Sequence, residues 1–300
     1  MLLATFNGRH WLPEQLASIL DQTDVDVSVV VSDDTSTDGT HEWLVERASR
    51  DSRITVVEFG TASGGAAQNF FRLLSHVAPD NGDLIAFADQ DDLWHGDKLS
   101  RHAALIEQYG FDGVSSSVMS FTQAGKWVLV RKDFPQRRFD FLTESPGPGC
   151  TFLITPKLAQ MVARELNDST SPARSARFHD SLIYVIARSA GLKWHIDAEP
   201  SVDYRQHQTN VMGSNVGIEP AGRRLRLIRA GWHRSEALLH ATVGLRFSPT
   251  DARARLEEMR ALFSGKGLRA RLTLAAKAGQ MRRRPRDRWI IGILIAIGIW

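Results

Sequence analysis

The densest group of chemistry-bearing side chains is Asp89-Gln90-Asp91-Asp92, three carboxylates within four residues, directly after the apolar stretch 84–88. Like charges this close raise one another's pKa unless donors or a cation neutralise them. A hard divalent ion, held through carboxylate and phosphate oxygens, meets that need. The same run also suits a solvated acidic turn ahead of a helix near Asp97, where negative charge is favoured. The buried-looking strand before it and Leu93-Trp94 after it favour a site. Two further polar clusters follow apolar stretches: Thr5, Asn7 and Gly8, then Asp33-Asp34-Thr35-Ser36-Thr37-Asp38-Gly39-Thr40. Asp38 and Thr40 suit the start of a helix, with Gly39 supplying backbone freedom. Asp33 and Asp34 lie too early to cap it, and a carboxylate there suits a nucleobase N–H. The small-residue loop Gly64-Gly65-Ala66-Ala67-Gln68-Asn69 leads into a helix and lets a ligand approach closely.

These clusters need a frame that brings them together. Apolar runs at 2–5, 27–32, 54–59 and 84–88 alternate with helical spacing at 13–20, 40–48 and 67–77. That alternation predicts βα units, and strands apolar throughout predict a mostly parallel sheet covered on both faces. Ligands bind such sheets beyond the carboxyl ends of the strands, so the three clusters should share one rim. The middle region, 110–215, is mixed, with strands expected at 127–130 and 152–154 and helices at 156–166 and 180–189. The stretch 144–149 (ESPGPG) must be a loop. The first strand is short, by nature or because the start lies a few codons upstream.

Composition narrows the class. The 43% hydrophobic content of the 300 residues is ample for a core, and the one cysteine, Cys150, allows no intrachain disulfide and fits a reducing compartment. No basic segment precedes an apolar one at the start, so no secretory signal is expected. The net charge of +3 divides unevenly: residues 221–288 hold 18 Lys/Arg and 5 Asp/Glu, a net of +13, leaving −10 elsewhere. An acidic body can hold a cation while a basic, helical arm meets an anionic surface.

Taken in order, Ala4-Thr5-Phe6-Asn7-Gly8, residues 32–40 (SDDTSTDGT), 65–70 (GAAQNF) and 87–94 (FADQDDLW) resemble the family 2 glycosyltransferases, most closely their rhamnosyltransferase-like branch. The resemblance covers about residues 2–215. It implies an α/β fold of GT-A (Rossmann-like) type, with a mostly parallel central sheet flanked by helices, and inversion at the transferred sugar's anomeric carbon. A glycosyltransferase domain over 1–220 would divide into a nucleotide-sugar half, about 1–115, and an acceptor half, 116–220. A basic helical extension over 221–300 would follow. Thr5, Asn7 and Asp33 or Asp34 would line the nucleoside pocket, with Asn69 on the small-residue loop beside them. Asp89 would face the ribose or donor sugar, and Asp91, with Asp92, would bind Mg²⁺ or Mn²⁺. Asp180, in His179-Asp180, matches the place of the catalytic carboxylate; it also suits an ordinary N-terminal helix acid. In residues 204–210 (YRQHQTN), His207 would reach the metal or diphosphate and Arg205 would add a second positive contact. Cys150, between Gly149 and Thr151, would edge the acceptor site. The implied partners are a dTDP- or UDP-sugar and a glycan or lipid-linked acceptor of cell-surface polysaccharide, with no nucleic acid. The implied location is cytoplasmic, peripheral on the inner face of the membrane.

A metal-dependent nucleotidyltransferase would share the acidic ligands but needs a glycine-rich basic phosphate loop, and Asn7-Gly8-Arg9 is slight for that. A receiver-type signalling module would leave Asp180 and 204–210 unexplained, and a non-catalytic nucleotide-sugar scaffold would not need competent side chains at every position. Apart from the resemblance, the uncharged run 289–300 directly follows the arginine-rich 282–288. Twelve helical residues reach about 18 Å against about 30 Å of bilayer hydrocarbon, so the tail is too short to span alone. It suits either one leaflet, with arginines on anionic headgroups, or a place in the core.

Overall fold

The computed structural model describes residues 1–77, 82–122, 124–207 and 231–300. Seven strands form the central sheet in the order β10-β6-β9-β4-β1-β2-β3: β1 (Leu2–Thr5), β2 (Val29–Asp33), β3 (Ile54–Val56), β4 (Ile85–Ala88), β6 (Gly113–Ser116), β9 (Leu153–Ile154) and β10 (Trp194–Asp197). The pairs β1–β2, β2–β3, β1–β4 and β6–β10 are parallel, whereas β9 runs antiparallel between β4 and β6. A smaller sheet has the order β5-β11-β7-β8, from β5 (Leu93–Trp94), β7 (Val118–Thr122), β8 (Trp127–Val130) and β11 (Val202–Gln206).

Side-chain alternation explains the layering. Leu2, Ile85 and Phe87 point to one face, where α3 (Ala66–His76), α5 (Pro156–Asn167) and α6 (His179–Ser189) pack. Leu3, Ala86 and Ala88 point to the other, against residues of α1 (Leu12–Leu20), α2 (Thr40–Arg50) and α4 (Lys98–Tyr109). The mostly parallel sheet flanked by helices is thus as expected. The expected strand at 27–32 begins two residues later, and that at 54–59 is confined to β3, an edge strand supported only by β2.

From 231 onward the described chain is helical: α7 (Trp232–Phe247), α8 (Thr250–Ser264), α9 (Leu268–Ala276), α10 (Ala278–Met281) and α11 (Pro285–Ala296). Their apolar residues, among them Ala241, Leu256, Met259 and Phe263, join the same core as Leu2, Phe70 and Phe87. A polar knot adds to this seam. Buried Asp140 accepts hydrogen bonds from Tyr184 Oη (3.2 Å), Arg188 (3.0 Å) and Arg283 (3.4 Å), while the Arg283 backbone N–H donates to Glu144 (2.6 Å). Arg283 is only 3% exposed.

The packing of the arm bears on the tail in two ways. The arginines of 282–288 are not uniformly free for headgroups: Arg283 lies in the knot, Arg282 approaches Glu144 (3.9 Å), and Arg288 donates to the Arg282 carbonyl (3.0 Å). The apolar run is neither wholly buried nor wholly open, because Ile291, Ile295 and Trp300 pack inward while Trp289 is 77% exposed. Removing one member of a buried ion cluster strands the others. Asp140→Ala should lower stability by about 3–5 kcal/mol, read from urea unfolding; a loss of under about 1 kcal/mol would show that the knot is as weak as a surface pair.

Candidate active site

The carboxyl ends of β1, β2 and β4 meet on one rim, laced by their own side chains. The Gln90 carboxamide makes a reciprocal pair with the Phe6 backbone, accepting from its N–H (2.8 Å) and donating to its carbonyl (2.9 Å). Gly8 is required beside it, because a Cβ there would collide with the Gln90 side chain. Thr5 donates to Asp33 (2.9 Å), which also accepts from the Ser36 N–H (2.9 Å) and hydroxyl (2.5 Å). Asn7 takes a left-handed φ of 49°, a conformation asparagine tolerates, and its side-chain oxygen accepts from the Thr37 N–H (2.8 Å). Asp34 holds the following loop, accepting from the Ser63 hydroxyl (2.8 Å) and Arg72 (3.1 Å).

Below the rim lies an acidic pit. Ligand atoms of Asp89, Asp92 and Cys150 all fall within 4.8 Å of one another. Asp92 is fully buried: one oxygen accepts the Arg205 backbone N–H (3.0 Å), and the other has no hydrogen-bond partner among the described residues. Burial, then the charges of Asp91 and Asp180, push Asp89 up to about 7; burial with Asp91 and Asp89 pushes Asp92 well above the usual carboxylate range. Lys98 is sealed beneath, donating to the Cys150 carbonyl (2.6 Å) with its ammonium 2.8 Å from the Trp94 ring centre. Burial draws its pKa well below the ordinary lysine value, opposed by Cys150, Asp92 and Asp89. Low dielectric thus favours neutral partners over separated charges here. At the mouth, His207 Nε2 meets Asp91 Oδ2 at 2.5 Å and the imidazole stacks on Trp11 (5.5 Å). Arg205 lies between Trp11 (4.6 Å) and Phe121 (4.7 Å), donating to the Asp91 carbonyl (2.8 Å) and to Glu14 (2.7 Å).

Asp180 lies in the first turn of α6, and its charge is among the causes that raise Asp89, so the two carboxyls are within electrostatic reach of each other. Its neighbour sets its place. The His179 ring is wedged against Phe70 (4.0 Å) and Phe87 (5.6 Å), over Gly149, where a Cβ would strike the imidazole. Burial lowers His179 to about 4, so it stays a neutral wedge. The Asp180 carboxylate also accepts the Ser181 N–H (2.6 Å), at a helix end where unpaired N–H groups favour an anion.

The profile described as "Glycosyl transferase family 2" matches residues 2–168, more than half the chain. The chain is a family 2 glycosyltransferase. It is 33% identical over 299 residues to the dTDP-rhamnosyl transferase RfbG of Shigella flexneri, covering 99% of this chain and 100% of that one. Its fold, of GT-A type, is similar to that of S. aureus TarS 1-349 in complex with UDP-GlcNAc (TM-score 0.60, 18% identity, 99% of this chain and 80% of that one). It is also similar to a mannosyltransferase from Pyrobaculum calidifontis in complex with GDP-Man and Mn²⁺ (TM-score 0.53, 17% identity, 100% and 79%). At those identities the likeness concerns the fold alone.

In this glycosyltransferase the residues expected at the site lie in different settings. Asp89 and Asp92 lie in the pit, Asp91 and His207 meet at its mouth, Asp180 acts on Asp89 through its charge, and Asn7 is exposed on the rim. Thr5, Asp34 and Asn69 are buried, and the Asn69 amide donates to the carbonyl of Ser32 (3.0 Å). Arg205 organises the mouth, since its guanidinium is held by Glu14 and two aromatic faces. Cys150 is buried under the carboxylates, not at an open acceptor edge. Gln208, Thr209 and Asn210 of the late motif lie outside the described residues. Gln90, Lys98, Trp11 and Glu14 were not singled out by the sequence, because their partners lie far along the chain.

The raised Asp89 has a consequence for stability. Its folded-state value, about 7, exceeds the ordinary 3.8, so the folded protein binds the extra proton between those limits. Without divalent ion, this contribution to stability is full below pH 4 and lost as pH rises through about 7. Chemical denaturation across pH 4–8 should show that Asp89→Asn flattens this fall; an unchanged profile would place the raised value elsewhere.

Proposed function

We propose that this glycosyltransferase moves rhamnose from dTDP-rhamnose to a glycan or lipid-linked acceptor, inverting the anomeric centre, with Asp180 as general base. The observation that carries the reading is that Asp180 opens α6, on the acceptor half of the chain, beside the His179 wedged on Phe70 and Phe87, and lies within electrostatic reach of Asp89. The donor assignment rests on the likeness to RfbG along nearly the whole chain. In the reaction the acceptor oxygen attacks C1 as its proton passes to Asp180. The C1–oxygen bond to the diphosphate breaks, and the nucleoside diphosphate leaves with the electron pair.

The residues fit a divalent cation such as Mg²⁺ or Mn²⁺. Two carboxylates, Asp89 and Asp92, bring ligand atoms within 4.8 Å of each other and of the Cys150 sulfur, and a buried Asp92 oxygen lacks a hydrogen-bond partner among the described residues. The Cys150 thiol is a soft donor such ions do not seek, which leaves Asp89 and Asp92 as ligands there, with Asp91 of the same run as the further ligand we assign at the mouth. His207 already brings a nitrogen to Asp91, where it could meet the same ion or the diphosphate. A cation held there offsets the charge gathered by the departing diphosphate. The chain's own part is positional: Gln90 fixes the β1 and β4 loops to each other, and His179 fixes Asp180.

Asp91→Asn should nearly abolish metal-dependent turnover in a protein whose circular dichroism is unchanged; near-normal activity would remove Asp91 from the metal site. Asp180→Asn should slow transfer by roughly a hundredfold or more while sparing donor affinity, measured by single-turnover kinetics and calorimetry. Loss of donor binding with an intact transfer rate would show the base to be another residue. A screen of dTDP-, UDP- and GDP-sugars tests the donor, and preference for a UDP- or GDP-sugar would reject rhamnose on dTDP.

A further inference from the structure

The last two long helices present apolar side chains that the fold does not cover. On α11, Trp289, Ile290 and Ile293 are exposed, as is Ile297 just past its end, opposite the buried Ile291 and Ile295. On α9, Leu268 and Leu272 are exposed, one turn apart, while Leu274 is buried. The short α10 turns the chain so that α11 packs on α9. Gly292 allows the close approach, since a Cβ there would sit 3.3 Å from the Ala278 Cβ and 3.6 Å from the Ala275 carbonyl. Six large apolar side chains on two adjoining helices exceed the scattered exposure usual on a soluble surface.

Charge identifies what would cover them. Residues 266–300 contain nine Lys/Arg and one acidic residue, Asp287. Arg283 is held inside, but Lys266, Arg269, Arg284 and Arg286 remain exposed on the same helices and their flanking turns. A second copy of this face would set like charges against each other. An anionic bilayer satisfies both features at once, with the apolar side chains among acyl chains and the cations among headgroups. No helix among the described residues is long and apolar enough to cross a membrane, so the contact would lie in the plane of the surface.

We propose that α9 and α11 together form a docking face for an anionic lipid bilayer. It is distinct from the simple tail insertion suggested by residues 289–300 alone, because α9 contributes and Arg283 ties the face to the body. The reading does not depend on which sugar is transferred.

The test is flotation of the full chain with phosphatidylglycerol/phosphatidylcholine vesicles and with phosphatidylcholine alone, at low and high salt. The wild type should float with the anionic vesicles and lose binding as salt rises. Leu272→Glu and Ile293→Glu should each reduce the floated fraction at least tenfold with the melting temperature unchanged. Failure of the wild type to float, or undiminished flotation of either folded variant, would overturn the proposal. Should a variant unfold, quenching by brominated lipid decides: wild-type tryptophan emission should be quenched, and Trp289→Phe should lose much of that quenching. Equal quenching of the two proteins would overturn the proposal. So would light scattering that shows a wild-type dimer made monomeric by Ile293→Glu without vesicle binding, which would assign the face to a second copy.

Discussion

Carboxylates at the end of a buried strand must be neutralised before the strand can be buried at all, and this constraint organises the surroundings of β4. The protein answers in layers. Burial and mutual repulsion raise the pKa of Asp89 and Asp92, Lys98 is sealed underneath, a backbone N–H from β11 reaches Asp92, and His207 faces Asp91. Each is a partial remedy, and one Asp92 oxygen still lacks a hydrogen-bond partner among the described residues. The pit also accounts for the second sheet: β11 must lie beside β5 for Arg205 to supply both the N–H for Asp92 and a guanidinium at the mouth.

Much of the frame was legible because it depends on local pattern. The strands at 2–5 and 127–130 fall where their apolar and β-branched residues place them, and α3, α5 and α6 agree with their helical spacing to within a residue or so. Besides the two-residue β5, the strands that escaped, β6, β7, β10 and β11, carry Gly-Val-Ser-Ser, Val-Met-Ser-Phe-Thr, Trp-His-Ile-Asp and Val-Asp-Tyr-Arg-Gln, in which polar residues interrupt the apolar signal. They are strands because neighbours pair with them, a tertiary cause that local propensity does not contain.

The candidate site shows the same division. Strand ends mark its rim, so Asp89, Asp91 and the Asp33 loop could be read. Whether a polar side chain faces a ligand or the protein depends on partners far along the chain. Gln90 meets Phe6 across 84 positions, and Arg205 meets Glu14 across 191. Asp33 and Asp34 look alike in sequence, yet one joins Thr5 and Ser36 while the other anchors Ser63 and Arg72. Lys98 gives no local warning, since a lysine opening a helix ordinarily reads as solvent-facing. Only the closed packing of α4 over Cys150 and Trp94 turns it inward.

The knot at Asp140 bears on how such proteins can diversify. Its donors come from α6, which carries Asp180, and from the arm, through Arg283; the same arm segment reaches Glu144, a few residues before the Gly149 turn beneath His179. The C-terminal helices are therefore not a cassette that recombination could trade between relatives while leaving the catalytic half intact. A foreign arm would have to bring its own arginine to a carboxylate already committed to Tyr184 and Arg188. Lineages should accordingly inherit the two parts together, with change concentrated on the outward faces of α9 and α11.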